Sequence, residues 1–143
     1  MSPLVLEEFQ DPEARSAFPS ISILNDDNLL RRVFGFFVEL LGIKGGRGYS
    51  SKAKILYRCY FDVSLFPEKN PEVWITNIPD NQIHHVNIFH DSPCPRLGQS
   101  FPKICTGTLD GVINRREERN LYGIIMSIKQ ILNDQNFSSP ART

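Results

Sequence analysis

The chain has 143 residues, of which 41% are hydrophobic and 22% are charged. This length and composition are typical of one globular domain that buries a core without disulfides or metals. Its 16 basic and 16 acidic residues cancel, so the chain lacks the net positive charge with which proteins attract nucleic acids or anionic membranes. We therefore expect a single domain that binds neither.

The first 26 residues are predicted to form an irregular lead-in, and residues 27–143 a single domain. Prolines interrupt the lead-in, and residues 20–24 could form one short strand. The three cysteines are too few, and odd in number, for a disulfide framework. Glu7 and Glu8 are atypical of a signal peptide. We therefore expect a reducing, cytoplasmic location.

Apolar spacing predicts a first helix over residues 27–41, capped by Asn25 or Asp26 and followed by Gly42. The apolar residues at helical spacing are Leu29, Leu30, Val33, Phe34, Phe37, Leu40 and Leu41. The glycine-rich stretch 42–48 matches neither GxxxxGK[ST] nor GxGxxG. It is interpreted as a flexible turn between a helix and a sheet.

Alternation of apolar and more polar residues predicts a strand over residues 53–66 with one buried face and one solvent-exposed face. Cys59 is predicted to be a small core residue on the buried face, and Tyr60 to lie on the exposed face. A proline-rich turn leads to a second strand at residues 73–76. Residues 77–109 are predicted to be mostly irregular and hold all three histidines and two of the three cysteines. A loop this long in a small domain is typically functional.

A last helix is predicted from Asn114 or Arg115 to about residues 133–134, where Asn114 and Glu117 resemble a capping box. Its core-facing stripe consists of Leu121, Ile124, Ile125, Ile128, Ile131 and Leu132. The order of helix, adjacent strands, long loop and helix indicates an α+β fold with antiparallel strands.

Two chemical interpretations of the long loop follow from its residue types. His85, His90, Cys94 and Cys105 are spaced loosely like zinc ligands, although no tight CxxC or HxxxH pair occurs. Alternatively, Cys105 could be the nucleophile of a cysteine hydrolase with a loop histidine as its base. The sequence alone does not place these groups together, so both alternatives stay open.

A third interpretation comes from four short motifs within residues 53–141. They are PEVWIT at 71–76, HVNI at 85–88, IC at 104–105 and SIKQILNDQNFSSPA at 127–141. In the same order, they resemble four motifs of ubiquitin-conjugating enzymes. These are the P-x-V-x-F-x-T strand, the His-Pro-Asn-Ile motif, the active-site Ile-Cys and the segment ending L-x-D-P-N-x-x-S-P-A. The compact form resembles bacterial conjugating enzymes found with antiphage operons.

This resemblance implies a fold with an N-terminal helix, an antiparallel meander sheet, a long active-site loop and a core-packing helix. It implies an acyltransferase that accepts a ubiquitin-like protein from an activating enzyme as a cysteine thioester and transfers it to an amine of a protein substrate. No cofactor is expected in this domain, because the activating enzyme consumes the ATP. The predicted helix at 27–41 would occupy the family position for contact with that enzyme, although its apolar stripe is equally consistent with core packing.

The resemblance also implies roles for individual residues. Cys105 would carry the thioester, and Asn87 would stabilise the oxyanion or rigidify the loop that bears the cysteine. His85 would be a structural hydrogen-bonding residue, and Ser139, at the family's Asp or Ser gate, would position the amine. Cys94 is the competing thiol, but only Cys105 follows the matching isoleucine.

Two departures from the family pattern leave an alternative function. Val86 replaces the proline of the His-Pro-Asn motif, and the family tryptophan after the cysteine is missing. The alternative is a catalytically inactive adaptor with the same fold.

Overall fold

The fold is described from a computed structural model that covers residues 4–27, 29–106 and 120–142. In chain order its elements are α1 (Leu6–Gln10), α2 (Pro12–Ala17), β1 (Ser22–Asp27), β2 (Arg32–Ile43), β3 (Lys54–Asp62), β4 (Glu72–Ile75), a 3-10 turn (Asp80–Gln82), β5 (Ile88–Cys94), β6 (Gln99–Ile104) and α3 (Leu121–Leu132). These strands form one antiparallel sheet in the order β1-β2-β3-β4-β6-β5. The predicted α+β class with an antiparallel sheet is confirmed.

The predicted helix over residues 27–41 is wrong, because most of this segment is β2, which pairs with β1 and β3. Nearly every position from 33 to 41 is apolar, so helical spacing is matched whether or not a helix forms. Valines and phenylalanines favour a strand, and Gly35 disfavours a helix interior. Leu29 and Leu30 are exposed in the β1–β2 turn, where the Asp27 carboxylate accepts both of their backbone N–H groups.

The lead-in over residues 1–26, predicted to be irregular apart from a short strand at residues 20–24, contains two helices, α1 and α2. The predicted strand corresponds to β1, which begins at Ser22 and extends to Asp27. Asp11 separates the two helices, and its carboxylate accepts the N–H of Ala14 at the start of α2. Pro12 occupies the first turn of α2, where its missing N–H costs nothing. Helices of five and six residues are too short to produce a periodic pattern, which explains why the sequence did not reveal them.

The predicted strands at 53–66 and 73–76 are confirmed as β3 and β4. Consecutive β3 residues point to opposite faces of the sheet. Cys59 and Phe61 lie in the main core between the sheet and the helices. Tyr60, predicted to lie on a solvent-exposed face, is fully buried in a second cluster with Trp74 and Cys94. The predicted core position of Cys59 is therefore confirmed.

Residues 77–109, predicted to be mostly irregular, contain the hairpin of β5 and β6. The sequence did not predict this hairpin because it contains prolines, which have no N–H to donate to a neighbouring strand. Pro93 lies on β5, at the edge of the sheet, where that loss is tolerated. Pro102 lies on β6 beside a register shift between Phe89 and Asp91.

Helix α3 packs one face against the sheet, and most of its predicted core stripe is fully buried. Its N-terminal cap is Asn120, whose side chain accepts the N–H of Gly123 at 2.8 Å. The predicted start near Asn114 and the capping box with Glu117 lie outside the described residues. The helix ends at Leu132, next to the predicted end. Across the described ranges, no helix is both long enough and apolar enough to cross a membrane.

Candidate functional site

Burial distinguishes the three cysteines, all of which are free thiols. Cys59 and Cys94 are buried, and removal from water raises the pKa of both thiols. Cys105 directly follows β6 and is partly exposed. Its backbone N–H donates to the carbonyl of Asn87 at 2.9 Å. Of the two candidate cysteines in the long loop, Cys105 is thus the more exposed.

Asn87 is 4% exposed and contacts each of the other three predicted site residues. Its backbone carbonyl accepts the N–H of Cys105, and its backbone N–H donates to Nδ1 of His85 at 3.2 Å. Its side-chain Nδ2 donates to the carbonyls of Asn136 and Ser139, at 3.0 and 3.2 Å. Its Oδ1 accepts the N–H of Asn136 at 2.7 Å.

These contacts discriminate between the two roles considered for Asn87. A carboxamide has two N–H bonds to donate, and both are engaged by backbone carbonyls. In this arrangement the side chain holds the chain segments on either side of Cys105 together and does not donate to an oxyanion. The geometry therefore favours the role of rigidifying the cysteine-bearing loop.

The segment after α3, residues 133–142, is called the closing segment below. It is fastened to the HVNI motif by backbone and side-chain bonds. The N–H of Ala141 donates to the carbonyl of Val86 at 2.7 Å. Gln135 Oε1 accepts the N–H of Val86 at 3.1 Å. A proline at position 86, as in the His-Pro-Asn motif that this segment resembles, would have no N–H to donate. The bond from Val86 to Gln135 is therefore possible only because position 86 is not proline.

His85 is fully buried. Its Nδ1 accepts a backbone N–H, which places the proton of the neutral ring on Nε2. Nε2 makes no hydrogen bond of normal geometry to the residues described. Burial lowers the pKa of His85, against the opposing influence of the Ile131 and Asp134 backbone and the Asp134 carboxylate. A buried neutral ring that supports a backbone turn matches the structural role predicted for it.

Ser139 lies in the closing segment with its side chain exposed. Asn87 fixes its carbonyl, and its N–H donates to the carbonyl of Asn136 at 3.3 Å. The backbone of Ser139 is therefore anchored on the residue that also holds Cys105.

Arg142 anchors the end of the closing segment. Its side chain is 8% exposed, and its guanidinium donates to the carbonyls of Ile83, Ile88 and Phe89 and to the carbonyl and carboxylate of Asp80. The pKa of Asp80 is lowered from its ordinary value. Partial burial alone would raise this pKa, but hydrogen bonds from His90 and Arg142 to the carboxylate have the larger, opposite effect. The closing segment is thus tied to the 3-10 turn and to β5.

A groove of about 510 Å³ lies beside these contacts. His84, Val86 and Pro140 contribute to its walls. Arg47 and Phe137 also line it, and the Arg47 guanidinium stacks over the Phe137 ring at 4.1 Å from the ring centroid. The groove joins the β2–β3 turn, the HVNI motif and the closing segment.

The geometry does not support the zinc and hydrolase alternatives. His85 is buried in its backbone turn, His90 pairs with Asp80, and Cys94 packs against aromatic rings. In the part of the chain that the structure describes, no three His, Cys, Asp or Glu side chains are close enough to share a metal ion. Within the same part, no hydrogen bond joins Cys105 to a histidine.

Sequence reasoning missed two residues that hold this site together, Gln135 and Arg142. Gln135 occupies the position of the proline in the family's Asp-Pro-Asn, and that departure was the available signal. Nothing in the local pattern marked Arg142, because its partners lie more than fifty positions away in the chain.

Comparisons with known proteins return no relatives. No protein-family model matches this sequence. No curated protein and no solved structure is significantly similar to it. The class that the structure establishes is thus an α+β domain with a six-stranded antiparallel sheet among its described residues.

Proposed function

We propose that this chain is a ubiquitin-conjugating-type acyltransferase. It accepts a ubiquitin-like protein from an activating enzyme as a thioester on Cys105 and transfers it to an amine. One observation carries the proposal: buried Asn87 holds the backbone of partly exposed Cys105 and, through its side chain, the backbone of Ser139. The reaction is assigned to the cytoplasm, where thiols stay reduced.

The order of elements also supports a fold of the ubiquitin-conjugating type. An antiparallel meander of β1 to β4 comes first, and the HVNI motif follows. The β5–β6 hairpin then returns the chain so that Cys105 lies beside Asn87. Thus the 17 residues between Asn87 and Cys105, a longer spacing than in the family, do not separate the two motifs in space.

The first step needs no dedicated base beside the thiol. The thiolate is the nucleophilic form of cysteine. The Cys105 thiolate attacks the carbonyl carbon of the carrier's thioester, and the thiolate of the activating enzyme leaves. One thioester is exchanged for another, so the step needs no further energy source.

In the second step an amine nitrogen attacks the new thioester, an amide forms and the Cys105 thiolate leaves. A lysine amine, with a pKa near 10.4, must first lose a proton. The Ser139 hydroxyl is not ionised at neutral pH, so it orients the amine and the proton passes to solvent. The groove of about 510 Å³ lies in the size range of ligand clefts, roughly 300–1,000 Å³. We assign it to the carrier's extended C-terminus because its walls include Val86 and Pro140, the chain neighbours of Asn87 and Ser139.

The test is a charging reaction with the activating enzyme and ubiquitin-like protein encoded in the same genome. We expect a carrier adduct on the wild-type chain that disappears on treatment with a reducing agent. Cys105→Ala should abolish the adduct and Cys94→Ala should retain it. An adduct that persists in Cys105→Ala would refute the assignment.

A catalytically inactive adaptor is the second candidate, because both N–H bonds of the Asn87 carboxamide are already engaged. An adaptor would bind the carrier without a covalent bond. The same experiment separates the two functions: no adduct, under conditions that charge another conjugating enzyme, together with carrier binding that survives Cys105→Ala, identifies the adaptor.

A further inference from the structure

The side chain of Gln135 joins two chain segments that are far apart in sequence. Its Nε2 donates to the carbonyl of Gly46 at 3.0 Å, and its Oε1 accepts the N–H of Gly46 at 2.8 Å. The same oxygen accepts the N–H of Val86 at 3.1 Å. One carboxamide thus connects the β2–β3 turn and the HVNI motif to the closing segment.

Two glycines of the β2–β3 turn, Gly45 and Gly46, allow its backbone to come close to the side chain of Gln135. Gly45 and Gly46 have φ angles of 85° and 84°, in the left-handed region that favours glycine. A Cβ on Gly45 would lie 2.5 Å from Cα of His85 and 2.9 Å from Oε1 of Gln135. The turn therefore packs directly against the backbone of the HVNI motif, with Gln135 beside it.

We propose that Gln135 is a positioning residue for the acyl-transfer site. It fixes the backbone of Val86, and the next residue, Asn87, holds the N–H of Cys105 and the carbonyl of Ser139. A hydrogen bond thereby supplies the local rigidity that a proline ring would supply at position 86. The effect of Gln135 on catalysis rests on the proposed function, whereas its fixing of the Val86 backbone does not.

Three variants isolate the role of the carboxamide. Gln135→Met keeps the length of the side chain and removes all three hydrogen bonds. Gln135→Glu keeps an oxygen that accepts the N–H groups of Gly46 and Val86 but cannot donate to the Gly46 carbonyl. The matched control is Gln130→Met, because Gln130 lies on the exposed side of α3.

The first measurement is amide hydrogen exchange on the full chain, without carrier or activating enzyme. In Gln135→Met we expect the amides of Gly46 and Val86 to exchange about 3–10-fold faster, since each loses one hydrogen bond. Gln135→Glu should retain most of the protection at Val86. Exchange in β3 should stay unchanged in all three variants. Unchanged exchange at Gly46 and Val86 in Gln135→Met would overturn the proposal.

The second measurement is single-turnover discharge of the purified thioester to free lysine, which follows charged molecules only. We expect Gln135→Met to slow discharge about tenfold, because small misplacements of reacting groups are costly. Gln135→Glu should restore most of the rate, and Gln130→Met should match wild type. Faster exchange with an unchanged discharge rate would overturn the positioning role. A wild-type chain that forms no thioester would overturn the proposed function, while the exchange data still decide whether Gln135 fixes the motif.

Discussion

At the scale of single residues, solvent access governs which thiol reacts. Cys94 is 2% exposed in the aromatic cluster and Cys59 is fully buried, whereas Cys105 is partly exposed after β6. The thiolate is the reactive form of cysteine, and burial raises the pKa of the two inner thiols. Proximity to the HVNI motif in sequence is thus a poor guide to the more exposed cysteine here.

We predict that iodoacetamide at neutral pH modifies Cys105 at least about tenfold faster than Cys59 or Cys94 in the folded chain. Peptide mass spectrometry of the protein, alkylated in its native state, measures the three rates. Cys105→Ser should abolish the fast phase and Cys94→Ser should leave it intact. Fast modification of Cys94 in the folded protein would contradict the burial described.

His85 gives a second prediction at this scale. Its pKa in the folded state lies below the ordinary value of 6.5, so the unfolded chain binds a proton more readily. The stabilisation from the neutral ring is complete above about pH 6.5 and is lost as the pH falls through the lower folded-state pKa. The lowered pKa of Asp80 acts in the same direction but in a more acidic range, below its ordinary 3.8.

Urea unfolding at about pH 7.5 and about pH 5.5 measures this effect of His85. We expect the wild-type free energy of unfolding to fall between these conditions and His85→Gln to show a smaller fall. His84→Gln, at an exposed neighbouring position, should retain the wild-type dependence. An equal fall in His85→Gln and wild type would show that another group is responsible.

At the scale of secondary-structure elements, β2 is the segment that differs most from its sequence-based prediction. It lies between β1 and β3 in the sheet, and its Gly35 pairs with Asp62 of β3. A Cβ at Gly35 would lie 2.2 Å from the hydroxyl oxygen of Tyr60. Tyr60 is fully buried and its hydroxyl has no hydrogen-bond partner in the described structure, so the ring has little room to move.

We predict that Gly35→Ala lowers the free energy of unfolding by about 1–3 kcal/mol through overpacking. Tyr60→Phe should be nearly neutral, because it removes a buried hydroxyl that lacks a partner. In the Tyr60→Phe background, Gly35→Ala should cost less, since the closest atom is gone. Gly48→Ala, which meets no atom within 4 Å, should change stability by no more than about 0.5 kcal/mol. Equal effects at positions 35 and 48 in denaturant unfolding would refute the packing described.

The elements that the sequence predicted well are those with one dominant period. β3 largely alternates and α3 carries a clean apolar stripe, so the faces of both that enter the main core could be assigned from the sequence. The burial of Tyr60 on the opposite face of β3 could not. β2 is apolar at nearly every position and satisfies the strand and helix periods alike. β5 and β6 contain prolines, which are tolerated here because of their places in the sheet. Those places depend on tertiary contacts, which no local pattern encodes.

At the scale of the whole molecule, the candidate site exists because distant segments converge. Backbone hydrogen bonds and the side-chain carboxamides of Asn87 and Gln135 join four segments. They are the β2–β3 turn, the HVNI motif, the end of β6 and the closing segment. Short motifs indicated Cys105, Asn87, His85 and Ser139 from sequence alone. The partners of Gln135 and Arg142 could not be predicted, because they depend on how the closing segment packs across the sheet.

The most direct test is to trap and locate the carrier on the chain. Serine at position 105 would form an oxygen ester, which resists the reducing agents that release a thioester. After charging Cys105→Ser with the activating enzyme and ubiquitin-like protein of the same genome, we predict a stable adduct that peptide mass spectrometry places on residue 105. Attachment at any other residue, or no adduct in a mixture that loads the activating enzyme, would contradict a thioester carried by Cys105.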